Sequence, residues 1–165
     1  MNLHETRFDS PCGELLVVTR DGRLVGLGFA DGDGRLRRSI GRRFGVAPVS
    51  GPAPADVTRA LTAYFDGEIA ALDGLEVDAG GTAFQQRVWR ALRRIPAGRT
   101  VAYRDLARTI GAPDAVRAVG AANGANPIGI VVPCHRVIAA DGALHGYAYG
   151  LDRKRWLLRH ESAIA

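Results

Sequence analysis

The sequence predicts an α+β fold in two parts: a small N-terminal antiparallel sheet with helices, then a mostly helical half built around a helix-turn-helix. Three observations carry this. Two apolar runs, Leu15–Val18 and Leu24–Phe29, flank Asp21-Gly22, a dipeptide suited to a two-residue hairpin. Beyond residue 80 the apolar spacing becomes helical, with short helices separated by Pro and Gly. The charge also changes sign there. Residues 1–80 carry 9 Arg and no Lys against 12 acidic residues, net −3, whereas residues 81–165 carry 12 Arg and 1 Lys against 5, net +8. The boundary is therefore placed at residue 80, giving a scaffold domain over 1–80 and a helix-turn-helix domain over 81–165.

Each element follows in order. A short strand near Thr6–Phe8 adds to the hairpin. Leu36, Ile40 and Phe44 fall four apart and predict a helix, with Arg37, Arg38, Arg42 and Arg43 as a solvated face. Three prolines and a glycine make 46–55 a loop. Asp56 caps a helix carrying Val57, Ala60, Leu61 and Tyr64. The glycine- and acid-rich stretch 67–81 reads as a linker.

In the second half, Phe84, Val88, Ala91, Leu92 and Ile95 mark an amphipathic helix capped by Thr82 and stopped by Pro96. A short helix over 104–110 ends at Gly111, and a third opens at Asp114 and runs to about Asn123. Two short helices with a Gly-containing turn form the helix-turn-helix candidate. The second of them carries one arginine, Arg117, among small residues, which suits close approach to a partner or close helix packing equally. An apolar run, 128–132, predicts a buried strand leading into Pro133-Cys134-His135-Arg136. A final helix covers 151–160, with Glu161 at its end.

Composition limits the function classes. The chain has 165 residues, a net charge of +5 and 47% hydrophobic residues, an ordinary globular balance. No apolar run approaches the ~20 residues of a membrane span, and residues 1–5 lack the pattern of a leader. A membrane partner is not expected. Two cysteines exclude a disulfide scaffold and fit a reducing cytoplasm. No Cys/His spacing suits a metal, so neither metal nor cofactor is expected. The basic half suits a polyanion or a solvated arginine-rich surface.

Cys134 is the sharpest chemical feature. A thiolate nucleophile needs a cationic or basic neighbourhood, and His135 and Arg136 adjoin it. Neighbours on an extended segment point to opposite sides, so direct Cys–His contact needs a turn or a bridging water. Cys12, in Ser10-Pro11-Cys12-Gly13, has no nearby His and reads as structural. His4, His145 and His160 read as ordinary terminal or surface residues. A cysteine hydrolase and a helix-turn-helix regulator are the rival classes. The first needs an oxyanion hole, and the second needs polar readers where this helix has Ala, Val and Gly.

Residues 130–137, Ile-Val-Val-Pro-Cys-His-Arg-Val, resemble the active-site signature of the methylated-DNA-protein-cysteine methyltransferases, the O6-alkylguanine-DNA alkyltransferases. The likeness extends in order through 81–89, 95–103, 117–123, Asn126-Pro127, Gly146-Tyr147 and 156–161, and loosely through 10–15. It implies a ribonuclease H-like first domain and a winged-helix-like second one. It implies DNA repair by irreversible, stoichiometric transfer of the alkyl group of O6-alkylguanine, and of O4-alkylthymine, to Cys134. The base would be flipped out of double-stranded DNA from the minor-groove side. Relatives that bind lesions without repairing them lack the cysteine, which is present here.

The resemblance also assigns roles. His135 would be the base acting through a water, oriented by Glu161. Tyr103 would hydrogen-bond the base and supply a proton. Asn126 would hold the turn before the Cys segment. Arg117 would fill the space left by the flipped base, with Ala115, Ala118, Gly120, Ala121, Asn123, Tyr103 and Arg136 at the DNA. Backbone groups at Cys134 and Val137 would read the guanine edge. Val137, Tyr147, Ala148, Tyr149 and Trp89 would wall the pocket, 146–150 forming its lid. Many family members have a small residue or glycine where this chain has Ala148 and Tyr149, which bears on the alkyl groups accepted. The implied working form is a monomer in solution that clusters on DNA.

Overall fold

The computed structural model describes residues 2–165 and divides the chain into two compact units. The leader reading rests partly on Met1, which lies outside the described residues. The first unit runs to Gly80 and takes in Pro127–Val131, and the second comprises Gly81–Asn126 and Val132–Ala165.

In the first unit, β1 (Leu3–Ser10), β2 (Gly13–Arg20) and β3 (Arg23–Phe29) form an antiparallel meander. β1 outgrows the expected Thr6–Phe8 because it pairs along the whole of β2, from Leu3↔Arg20 to Ser10↔Gly13. The second hairpin turns on Asp21 and Gly22 at φ of 50° and 81°. Both central residues are left-handed, the geometry that matches strand twist and selects Asp-Gly. β4 (Val49–Ser50), inside the expected loop, pairs parallel to β1, so the sheet order is β3-β2-β1-β4.

β2 is buried from Leu15 to Val18, so both sheet faces are covered. On one face α1 (Asp33–Phe44) sets Leu36 and Ile40 on Leu3, Leu16, Val18 and Val25. Each such side chain contributes about 1.5–3 kcal/mol on burial. On the other, α2 (Ala55–Phe65) buries Val57, Leu61 and Tyr64, and its Phe65 stacks on Phe8 at 6.2 Å. Asp56 lies inside the first turn of α2. The capping position is Pro54, without a side-chain cap.

Two expectations change here. The glycine- and acid-rich stretch before Gly80 is packed, not a loose linker. Leu72 and Leu75 are buried, Val77 bridges to Leu24, and Arg43 pairs with Asp78 at 2.7 Å. The apolar run 128–132 is buried but, among the described residues, makes a single bridge, Ile128↔Leu27, in place of a strand. Ile130 then takes φ 68°, a strained value for a β-branched residue, and ends the extension.

In the second unit, α3 (Ala83–Arg93) opens on a full capping box between Thr82 and Gln85. β5 (Val101–Ala102) leads into α4 (Tyr103–Thr109) and pairs in parallel with β6 (Val137–Ile138). α4 stops in a Schellman turn: Gly111 at φ 75° donates to Arg108, and Ala112 donates to Ala107. Arg87 of α3 donates to the last carbonyl of that turn, Ile110. α5 (Val116–Gly124) starts two residues later than expected because Ala115 keeps a non-helical backbone and closes a turn onto Ala112. α6 (Leu151–His160) closes the chain. Val88, Leu92, Leu106, Val119, Val137, Leu157 and Leu158 form the buried interior.

Candidate active site

Cys134 opens a single 3-10 turn, Cys134–Arg136, directly after Pro133. Arg136 N–H donates to Pro133, and Val137 N–H donates to the Cys134 carbonyl, which closes the turn. This turn removes the alternation of an extended segment. Cys134 stays half-buried, while His135 turns fully inward. Neither Cys12 nor Cys134 is in a disulfide.

Two asparagines hold the turn in place. Asn126, just past α5, donates Nδ2 to the Val132 carbonyl at 2.7 Å. Asn123, on the inner face of α5, donates Nδ2 to the Cys134 carbonyl at 3.4 Å. The recognition-helix candidate and the Cys134 turn are thereby one hydrogen-bonded assembly.

Behind the cysteine lies a buried polar triad. His135 Nε2 is 2.9 Å from Glu161 Oε2. Arg136 grips the same carboxylate through Nε at 2.8 Å and a second nitrogen at 3.0 Å, and donates to the Ile95 carbonyl at 2.7 Å. Burial alone would raise Glu161, but hydrogen bonds and charge from His135 and Arg136 reverse this and hold its carboxyl far below the usual range. Burial lowers the His135 pKa against the pull of Glu161, with Arg136 and Lys154 adding to the lowering. The imidazole is therefore neutral at pH 7. Glu161 can only accept, so Nε2 carries the hydrogen and Nδ1 the lone pair. Nδ1 is buried and makes no hydrogen bond.

Tyr103, first residue of α4, is half-buried and donates to the His145 carbonyl at 3.4 Å. Burial and the negative charge of Cys134 raise its pKa, with Asn123 opposing. Tyr147 and Tyr149 meet edge to face at 5.9 Å in the segment before α6. Ala148 is exposed between them. On α5, Arg117, Ala118 and Ala121 are exposed, Gly120 is half-buried, and Val119, Ala122 and Asn123 face inward.

Several sequence-based assignments need correction. Arg136 is not a DNA contact, because it is buried and committed to Glu161 and Ile95. Asn123 is likewise buried and serves the Cys134 turn. The indole N–H of Trp89 donates to the Ala122 carbonyl at 2.8 Å, bracing α5 from α3. Ala115 precedes α5 instead of riding on it. Val137 N–H is committed to the turn and its carbonyl accepts from Lys154, which leaves only that oxygen's second lone pair for a ligand.

Lys154 was missed. It is fully buried, and its Nζ donates to the carbonyls of Val137 at 2.7 Å and His145 at 2.8 Å. Burial pulls it down to about 8, against the opposing charge of Cys134. A sequence signal existed. Lys154, Leu157, Leu158 and Glu161 fall at i, i+3, i+4 and i+7, one helix face, and this is the single lysine among 22 basic residues.

Among the described residues no group of three or more His, Cys, Asp and Glu could hold a metal ion, and no helix is long and apolar enough to cross a membrane.

Comparison with known proteins gives consistent matches. The family pattern described as "6-O-methylguanine DNA methyltransferase, DNA binding domain" matches residues 83–163. The companion "ribonuclease-like domain" pattern matches residues 3–79. A methylated-DNA-protein-cysteine methyltransferase of Salmonella typhimurium is 47% identical over 99% of this chain and 98% of its own. One from Mycolicibacterium paratuberculosis is 49% identical over 93% and 88%. The crystal structure of Mycobacterium tuberculosis O6-methylguanine methyltransferase superposes with a TM-score of 0.83, at 42% identity, covering 99% of this chain and 94% of that one. The structure of the same organism's protein in complex with DNA gives 0.84 at 42% identity, covering 97% and 93%.

Proposed function

The chain belongs to the 6-O-methylguanine DNA methyltransferases, and from that membership we propose how its own residues carry out the reaction. The activity is repair of DNA by direct reversal, with transfer of the alkyl group to a cysteine. We assign that cysteine as Cys134. The observation that carries the assignment is a half-buried cysteine, in no disulfide, opening a turn whose next residue is bonded at 2.9 Å to a buried carboxylate.

The thiol proton passes through a water to the His135 Nδ1 lone pair. Glu161 accepts from Nε2 and so stabilises the imidazolium that forms. The thiolate attacks the alkyl carbon on O6 in one displacement: the S–C bond forms as the C–O6 bond breaks. The bonding pair leaves with the base, and the Tyr103 hydroxyl protonates it. The raised pKa of Tyr103 keeps that hydroxyl protonated until charge develops on the leaving group. Solvent then restores the tyrosine. The product thioether has no route back, so one molecule repairs one lesion.

The substrate is O6-alkylguanine in double-stranded DNA, with O4-alkylthymine offering the same alkylated exocyclic oxygen. Such a carbon cannot be reached inside the stack, so the base is flipped. Arg117, exposed near the start of α5, fills the gap, and the small exposed Ala118 and Ala121 let α5 lie close in the minor groove. Tyr147, Ala148 and Tyr149 wall the pocket.

Incubation with a duplex carrying one O6-methylguanine tests this. Peptide mass should place one methyl group on Cys134 and none on Cys12, with no second turnover, and Cys134→Ala should transfer nothing. An unmodified Cys134 after complete mixing rejects the assignment.

A further inference from the structure

Lys154 carries an inference beyond this mechanism, although it rests on the reading of Tyr103 as the group that turns to the base. The His145 carbonyl is held by two donors: Lys154 Nζ at 2.8 Å and the Tyr103 hydroxyl at 3.4 Å. The tyrosine bond is long and weak, and the lysine bond is short and charge-assisted. The same ammonium holds the carbonyl of Val137, whose N–H closes the Cys134 turn. One buried cation thus ties the reactive turn to the segment leading into the pocket lid.

We propose that Lys154 is a positioning residue that takes over the His145 carbonyl so that Tyr103 is released to meet the flipped base. With the stronger donor in place, Tyr103 leaves little behind when it rotates away. Without it, Tyr103 becomes the remaining donor to that carbonyl, the bond tightens, and the hydroxyl is retained away from the base. The lysine remains a cation at neutral pH, since burial lowers it only to about 8. Its depth and its two carbonyl partners leave it no role as a phosphate contact.

The test is a double-mutant cycle on single-turnover methyl transfer from an O6-methylguanine duplex, combining Lys154→Met with Tyr103→Phe. Lys154→Met alone should slow transfer about tenfold, equivalent to about 1.4 kcal/mol, while affinity for an undamaged duplex stays within about twofold. In the Tyr103→Phe background the same change should slow transfer less than about twofold, because no hydroxyl remains to be released. Lys154→Gln keeps a donor for the His145 carbonyl and should recover most of the rate. It also serves if Lys154→Met fails to fold. Equal slowing in both Tyr103 backgrounds makes Lys154 merely structural and overturns the proposal. An unmodified Cys134 in the unsubstituted protein instead points to failure of the mechanism itself.

Discussion

At the scale of single residues, the site is an arrangement of charge taken out of water. Glu161 is buried between His135 and Arg136, and breaking such a pair by removing one partner costs about 3–5 kcal/mol. The folded pKa of Glu161 is depressed, so its contribution to stability is present above its ordinary value of 4.5 and is lost as pH falls below it. His135 is also depressed, from 6.5, so its neutral burial begins to cost stability as pH falls below that value. Both effects have the same sign. Chemical denaturation between about pH 7 and 4 should therefore show stability falling with pH, and Glu161→Gln should be less stable at pH 7 and flatter below pH 4.5. A variant with the parent's acid slope would show that the carboxylate is not held as described. Cys134 and His135 were legible from the chain as a candidate nucleophile and base. The role of Glu161 came from resemblance. Lys154 was legible only through the helix face it shares with Leu157, Leu158 and Glu161, a pattern that a charged residue obscures.

At the scale of elements, α5 joins the proposed DNA face to the Cys134 turn. Its inner face supplies Val119, Ala122 and Asn123, while its outer face presents Arg117, Ala118 and Ala121. Removing the Arg117 side chain leaves the core untouched. Arg117→Ala should slow repair of duplex DNA by roughly tenfold or more, since unstacking a base costs a few kcal/mol. It should barely change reaction with the free modified base, measured as single-turnover rates on both substrates. Equal slowing of the two would argue against insertion into the duplex. α3 was readable because its Thr82 cap, its apolar spacing and the Pro96 stop are local signals. The start of α5 was not, because Asp114 resembles a cap while a turn through Ala115 delays the helix. The Cys segment misled more. Its apolar run suggests a strand, but Ile130 breaks the extension and the 3-10 turn follows.

At the scale of the whole molecule, the modest charge of +5 is the sum of an acidic first half of net −3 and a basic second half of net +8. Duplex binding by the second half should release counterions. Affinity for undamaged duplex should fall at least about tenfold between roughly 50 and 200 mM salt. Binding indifferent to salt would place the contacts elsewhere. By itself, the sequence determined what depends on near neighbours along the chain: the Asp21-Gly22 hairpin, the helix periodicities, the Thr82 cap, the change of composition at residue 80 and the presence of a Cys-His pair. The tertiary structure alone decided which polar side chains are sacrificed to the interior. Arg136 meets Glu161 across 25 residues, Trp89 meets Ala122 across 33, and Lys154 meets Val137 across 17. The physical reason is one of range. Hydrogen-bonded turns and helices are set by residues within four or five positions, whereas a buried charge is tolerable only beside a partner that the packing of distant segments delivers.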